Sequence, residues 1–217
     1  MSAHLISRTH AHRPAASQPF VGDLSLVKGR VHEFCGAARR TLAMLLARKM
    51  QGRVLWIRAG WVPDLLNMDG VLSYIDPSRL TFVSCRRPED ILWCMEETLR
   101  SGAVPLVVTE VPGYPSLTPI RRLHLAAETG GQTGDFTPLG VVLTPSLTGQ
   151  DGGAQGVETR WALAPRNRHW HLTRLRARTA PVAKWQMDKT GALTPYTAGK
   201  APVAPEPHSF SNAAEPF

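Results

Sequence analysis

The residues with most capacity for chemistry lie toward the C-terminal end, where Arg174, Arg176 and Arg178 alternate with Leu175 and Ala177. Side chains on a strand alternate between faces, so this spacing predicts three guanidiniums projecting from one side. Arg166 and Arg168 fall in the preceding turn, and Trp161, Trp170 and Trp185 are interleaved with the basic residues. Guanidiniums beside aromatic rings suit phosphate contact and base stacking on single-stranded nucleic acid. The pattern equally suits a solubilising outer face with inward tryptophans, or a docking face for an acidic partner. On residue type and spacing all three readings stay open.

A second basic cluster opens a helix: Gly36-Ala37-Ala38-Arg39-Arg40-Thr41-Leu42. Arg39 or Arg40 at a helix N-terminus can meet an anion, although two arginines make a weaker site than a loop enclosing a phosphate. His10 and His12, and His169 and His171, have the i, i+2 spacing of one strand face, but no acidic or thiolate group lies close in sequence to complete a metal site. No metal and no cofactor are therefore expected. Cys35, Cys85 and Cys94 are odd in number, form no C-x-x-C pair and sit among apolar residues. They fit packing in a reducing cytoplasm rather than a disulfide framework. Glu96-Glu97 lacks an obvious partner carboxylate and reads as a solvated helix face. Arg121 and Arg122 point about 100° apart on a helix, so at most one faces the sheet, with Glu128 or Glu110 as a possible anchor and exposure as the default.

The elements that must position these groups alternate between strand and helix. A helix runs from about Ala37 to Met50, with Gly52 as its stop. Val54 to Ile57, Leu80 to Ser84, Leu106 to Thr109 and Leu139 to Leu143 are short apolar runs of buried-strand type. Pro88 opens a helix with Glu89 and Asp90 in its first turn and Gly102 at its end. Another helix covers Ile120 to Glu128 and ends at Gly130. Such alternation predicts an α/β fold with a parallel sheet covered on both faces. Extended runs at Trp161 to Leu163, Trp170 to Arg178 and Val182 to Met187 predict antiparallel strands added to that sheet.

The formal net charge of +8 is unevenly distributed along the 217 residues. Residues 1–59 carry 10 basic and 2 acidic groups, residues 60–159 carry 6 and 12, and residues 160–189 carry 8 and 1. A uniformly basic, histone-like coat is thereby excluded. No stretch approaches the roughly 18 continuous apolar residues of a membrane span, so no membrane partner is expected. Residues 1–20 lack the apolar core of a secretory signal and read as a flexible arm. Residues 197–217 are rich in Pro and Ala and read as a disordered tail. Phe210 and Phe217 in that tail are candidates for a short docking peptide.

Several segments resemble a known family. Leu80 to Val111 resembles the RecA core, in which a strand, a helix and a turn like Ser101-Gly102-Ala103-Val104 lead to the strand carrying the Walker B aspartate. Val31-His32-Glu33-Phe34-Cys35-Gly36 resembles the RecA strand that enters the P-loop, and Trp56-Ile57 the next strand. Ile120 to Glu128 resembles the arginine-rich helix of the ImuA family, RecA-related accessory proteins of bacterial mutagenesis cassettes. Trp161 and the Arg174 to Arg178 strand resemble that family's C-terminal end. The resemblance covers about residues 29–188. It implies a RecA-like domain over residues 21–196 with a degenerate P-loop at Gly36, Arg39, Arg40 and Thr41.

The departures from a working nucleotide site are specific. A P-loop, G-x-x-x-x-G-K-[ST], wraps phosphates in backbone N–H groups and adds a Lys and a Mg²⁺-binding hydroxyl. Here the second Gly is missing, the loop is short, and no Lys precedes Thr41. Thr109 stands where the Walker B aspartate belongs, and its neighbour Glu110 should face the other way. Arg58-Ala59-Gly60 replaces the expected acidic pair. Three parts of phosphoryl-transfer chemistry are absent, and no enzymatic activity is expected. The resemblance implies an accessory protein of SOS-induced, error-prone translesion DNA synthesis. Its implied partners are an ImuB-like polymerase adaptor, RecA and an error-prone C-family DNA polymerase, with DNA as a further candidate. The alternative is a cell-division inhibitor similar to SulA, which binds the division GTPase. RecA-type subunits associate through a segment ahead of the core, which by analogy is residues 21–31 here.

Overall fold

The computed structural model describes residues 16–145, 152–188 and 190–196. The elements in chain order are β1 (Ser17–Val21), β2 (Leu24–Val27), β3 (Val31–Cys35), α1 (Arg39–Arg48), β4 (Val54–Ala59), α2 (Met68–Leu72), β5 (Leu80–Cys85), α3 (Pro88–Ser101), β6 (Leu106–Glu110) and α4 (Leu117–Thr133). They continue with β7 (Leu139–Leu143), β8 (Thr159–Arg166), β9 (His169–Ala177), β10 (Ala183–Met187) and β11 (Leu193–Pro195). A nine-stranded sheet has the order β11-β10-β9-β8-β3-β7-β6-β4-β5. From β8 to β5 every pairing is parallel, and β9, β10 and β11 extend the β8 side antiparallel. The expected mixed α/β sheet is observed, except that the Trp161 to Leu163 run, expected in the antiparallel extension, lies in β8 and joins β3 parallel; the antiparallel part begins at β9. All residues of β3 and β7 are buried, which is why β7 reads as a continuous apolar run, whereas β3 buries His32 and Glu33 among its apolar residues.

Two apolar layers hold the sheet. Phe34, Trp56, Val108 and Trp161 pack on one face with Leu42 and Leu46 of α1. Val31, Ile57, Val107 and Val142 pack on the other with Ile91 and Leu99 of α3 and Ile120 and Leu123 of α4. Consecutive β6 residues thus alternate faces, so Glu110 shares the α1 side with Leu106 and Val108. Helix α3 starts at Pro88 and ends on Gly102 in the left-handed conformation, φ +59°. Helix α4, by contrast, runs through Gly130 rather than stopping there. A Cβ on Gly130 would lie 2.0 Å from the Leu99 carbonyl oxygen, so this glycine lets the two helix backbones touch.

The expected arm boundary falls inside a strand. Ser17–Val21 pairs antiparallel with Leu24–Val27, and Phe20, Val21 and Leu26 are buried in the α1-side core. The Phe20 ring stacks on Phe34 at 5.8 Å and meets Trp161 edge-on at 5.1 Å. The apolar residues of the segment expected to dock a neighbouring subunit are thus spent on the chain's own sheet. His10, His12, Phe210 and Phe217 lie outside the described residues.

Candidate functional site

The start of α1 and the carboxyl ends of β4, β6 and β7 meet at a cavity of about 170 Å³ lined by Arg39, Arg40, Arg58, Asp64, Glu110 and Pro145, among others. Open α/β sheets place ligand chemistry at this edge. Here it is filled by a side-chain cluster. Arg40 grips Glu110 with two nitrogens, Nε to Oε1 at 3.1 Å and Nη2 to Oε2 at 2.7 Å. The Trp56 indole N–H donates to the same carboxylate at 2.8 Å. Glu110 had been expected to face away from this place; it is Thr109, buried on the α3 and α4 side, that does so.

The backbone ahead of α1 is closed as well. Gly36 has φ +87°, and a Cβ there would lie 2.6 Å from the Leu163 carbonyl oxygen. The Ala38 N–H donates to that carbonyl at 3.1 Å, and the Arg39 N–H to the Gly36 carbonyl at 3.3 Å. Two of the N–H groups that a phosphate loop would present are therefore bound by the protein itself. Thr41 is half-buried and lines a separate groove with Leu45, Tyr74 and Trp170. The segment expected as a degenerate P-loop thus splits: Arg39 and Arg40 face the cavity, Gly36 braces β8, and Thr41 points elsewhere.

The C-terminal arginines do not share one face. Arg160 opposes Arg176 across the β8–β9 ladder, but Trp161 opposes Arg174, so β9 carries one extra residue at this step. Directly opposed residues share a face, whereas Arg160 and Trp161 are neighbours on a strand and do not. Arg174 accordingly lies on the tryptophan side, its guanidinium 5.6 Å from the Trp161 ring centroid and 5.3 Å from that of Trp185. Arg176 is on the opposite side and exposed. Arg178 follows β9, with Nη1 3.9 Å from Glu158. Trp170 packs half-buried against the α1-side core. These tryptophans pack inward, as one of the three sequence readings required.

Arg166 and Arg168 are exposed at the β8–β9 turn, where Asn167 adopts φ +47°. Because β8 runs parallel to β3, this turn lies at the same carboxyl edge as Arg39. Arg58 and Arg86 leave that edge from β4 and β5, and the exposed rings of Trp61 and Tyr114 follow β4 and β6. Among the described residues, none of Arg39, Arg58, Arg86, Arg166 and Arg168 forms a salt bridge.

Several polar groups beneath the edge escaped the sequence reading. Glu33 is fully buried; its carboxylate accepts from the Thr144 hydroxyl at 2.7 Å and the Ala154 N–H at 3.0 Å, with Arg160 Nε 3.3 Å away. Burial pushes its carboxyl above the usual range, against the hydrogen bond from Thr144 and the charge of Arg160. His32 is also fully buried, with Nε2 3.0 Å from the Val27 carbonyl and Nδ1 2.7 Å from the Thr159 hydroxyl. That pairing fixes the neutral Nε2–H form, and burial holds its pKa down at about 4. His124 bridges the Val31 N–H and the Gly156 carbonyl. A signal was available for the first two: His and Glu inside an apolar strand need partners. Glu96, expected to be solvated, is buried and pairs with Arg100 and with Arg122 at 2.8 Å. Arg121 and Arg122 are both exposed, as their default reading had it, and Arg122 reaches Glu96 rather than Glu128 or Glu110. Glu128 pairs instead with Arg30.

No protein-family model matches the sequence, and no curated protein matches it.

Proposed function

We propose that this chain is a RecA-related accessory protein that has given up nucleotide chemistry and works by docking. The observation that carries this reading is the Arg40–Glu110–Trp56 cluster. In a P-loop enzyme, the loop at the start of the first helix and the acidic end of the Walker B strand jointly hold Mg²⁺ and phosphate. Here an arginine from the corresponding helix start neutralises the corresponding acid directly. The resemblance to the ImuA family supplies the setting: SOS-induced, error-prone translesion synthesis with an ImuB-like adaptor, RecA and an error-prone C-family polymerase. Two measurements test it. Titration calorimetry with Mg²⁺-ATP should give no binding; micromolar binding lost on changing Arg39 and Arg40 overturns the non-catalytic reading. Co-purification from damaged cells should recover the polymerase components, and recovery of the division GTPase alone favours the SulA-like alternative.

Single-stranded DNA is the further partner this reading includes, engaged through the carboxyl edge rather than the β9 face. Supporting it are five arginines without carboxylate partners among the described residues, together with Trp61 and Tyr114. From β8 to β5 there are five strand spacings, an edge of about 24 Å along which phosphates and bases can lie.

A further inference from the structure

Cys85 ends β5 at the outer edge of the sheet, and Cys94 lies on α3, which packs on that edge. Their sulfurs are 3.9 Å apart, with the Cys85 thiol directed at the Cys94 sulfur. Cys85 is buried, whereas Cys94 is only partly so. The Cys85 backbone is tied down: its carbonyl accepts from the Gly60 N–H at 2.7 Å, and the residue pairs with Ala59 of β4.

We propose that Cys85 and Cys94 are a reactive dithiol that hydroperoxides convert to an intramolecular disulfide. An S–S bond of about 2.05 Å requires the sulfurs to close by about 1.9 Å, a displacement of the size a side-chain rotation supplies. Exposure sets the order of events. The hydroperoxide oxidises the accessible Cys94 thiol to a sulfenic acid and is itself reduced to the alcohol, or to water for hydrogen peroxide. The Cys85 sulfur then attacks the Cys94 sulfur, the S–S bond forms, and the sulfenic oxygen leaves as water with the Cys85 proton. Two thiols have lost two hydrogens, and one peroxide has accepted them. Burial, with Cys94 beside it, holds the Cys85 thiol up at about 11, which argues against Cys85 making the first attack. The disulfide would tie the end of β5 to α3 and so fix the Arg86-Arg87 turn between them. It is independent of the accessory reading.

Treatment of the full chain with hydrogen peroxide, followed by non-reducing peptide mapping, tests this. The expected result is a linked peptide pair containing Cys85 and Cys94, lighter by two hydrogens and reversed by dithiothreitol. In Cys85→Ser, the sulfenic acid on Cys94 should persist and be captured by dimedone, whereas the native chain loses that adduct. Cys35 provides the internal control, since it is fully buried and donates to the Trp161 carbonyl at 3.4 Å. Cys94 driven to sulfinic or sulfonic acid beside a free Cys85 overturns the proposal, as does a disulfide that includes Cys35. Should Cys85→Ser fail to fold, the linked or unlinked state of the native peptides decides alone.

Discussion

At the scale of single residues, Arg40, Glu110 and Trp56 form the unit on which the proposed function rests. Both charged partners are partly shielded, with Arg40 and Glu110 side chains 27% and 16% exposed. A bidentate pair in that environment is stronger than a surface ion pair, and removing one partner leaves the other poorly solvated. Arg40→Ala and Glu110→Ala should each cost about 1–3 kcal/mol, and the double variant clearly less than their sum. Urea unfolding of the four proteins in the cycle measures the coupling. His32 acts on stability through protons. Its folded pKa of about 4 lies below the unfolded value of 6.5. Above pH 6.5 both states are neutral; as pH falls from 6.5 toward 4 the unfolded chain takes up a proton that the folded one refuses. Its contribution to stability is therefore present above pH 6.5 and lost on acidification, by about 3 kcal/mol at the low end. The native chain should lose more stability over that window than His32→Gln, and equal slopes in the two would refute the assignment.

At the scale of elements, the closest approach of α3 and α4 runs through glycine, beside the side chains that pack between them. A Cβ on Gly130 would meet the Leu99 carbonyl at 2.0 Å, and nothing lies within 4 Å of one on Gly113. Gly130→Ala should cost about 3 kcal/mol, outweighing the roughly 1 kcal/mol that alanine adds to helix propensity. Gly113→Ala, in the loop before α4, should change stability by less than about 0.5 kcal/mol. Comparable urea midpoints for the two variants would contradict the close crossing. The extra β9 residue at the Trp161 step has a similar reach. It turns Arg174 onto two tryptophans and leaves Arg176 on the other side, which converts an apparent basic stripe into one packed cation and one exposed one.

For the whole molecule, the consequence is where positive charge becomes available. Arg39, Arg58, Arg86, Arg166 and Arg168 are scattered over 130 positions of sequence, yet all sit at or beside the carboxyl edge of parallel strands. If these five contact single-stranded phosphates, the logarithm of affinity should fall with the logarithm of salt at a slope of about −3.5, close to 10²-fold between 50 and 200 mM. Replacing Arg166 and Arg168 together should flatten that slope by about 1.4. Fluorescence anisotropy with an oligonucleotide reads both numbers. A flat response would remove DNA from the set of partners and leave this edge for an acidic protein.

The sequence by itself determined the alternation of strands and helices, although Leu80 to Ser84, read as a buried strand, lies in the largely exposed edge strand β5. Apolar runs such as Leu139 to Leu143 and stop signals such as Gly102 are local and need no partner to be read. It also showed that no Lys precedes Thr41, because that is a matter of residue identity. Tertiary structure alone decided what the charged residues do. Glu110 faces Arg40 because Val108 and Trp56 share the α1-side core, a relation between strands that no spacing encodes. Glu96 is buried and reached by Arg122 of α4 as well as by Arg100 one turn along its own helix, although its local context is that of a solvated face. Hydrophobic periodicity is a property of one segment and survives in the linear code. The fate of a charge depends on which distant group shares its low-dielectric surroundings, and only the folded chain brings those groups together.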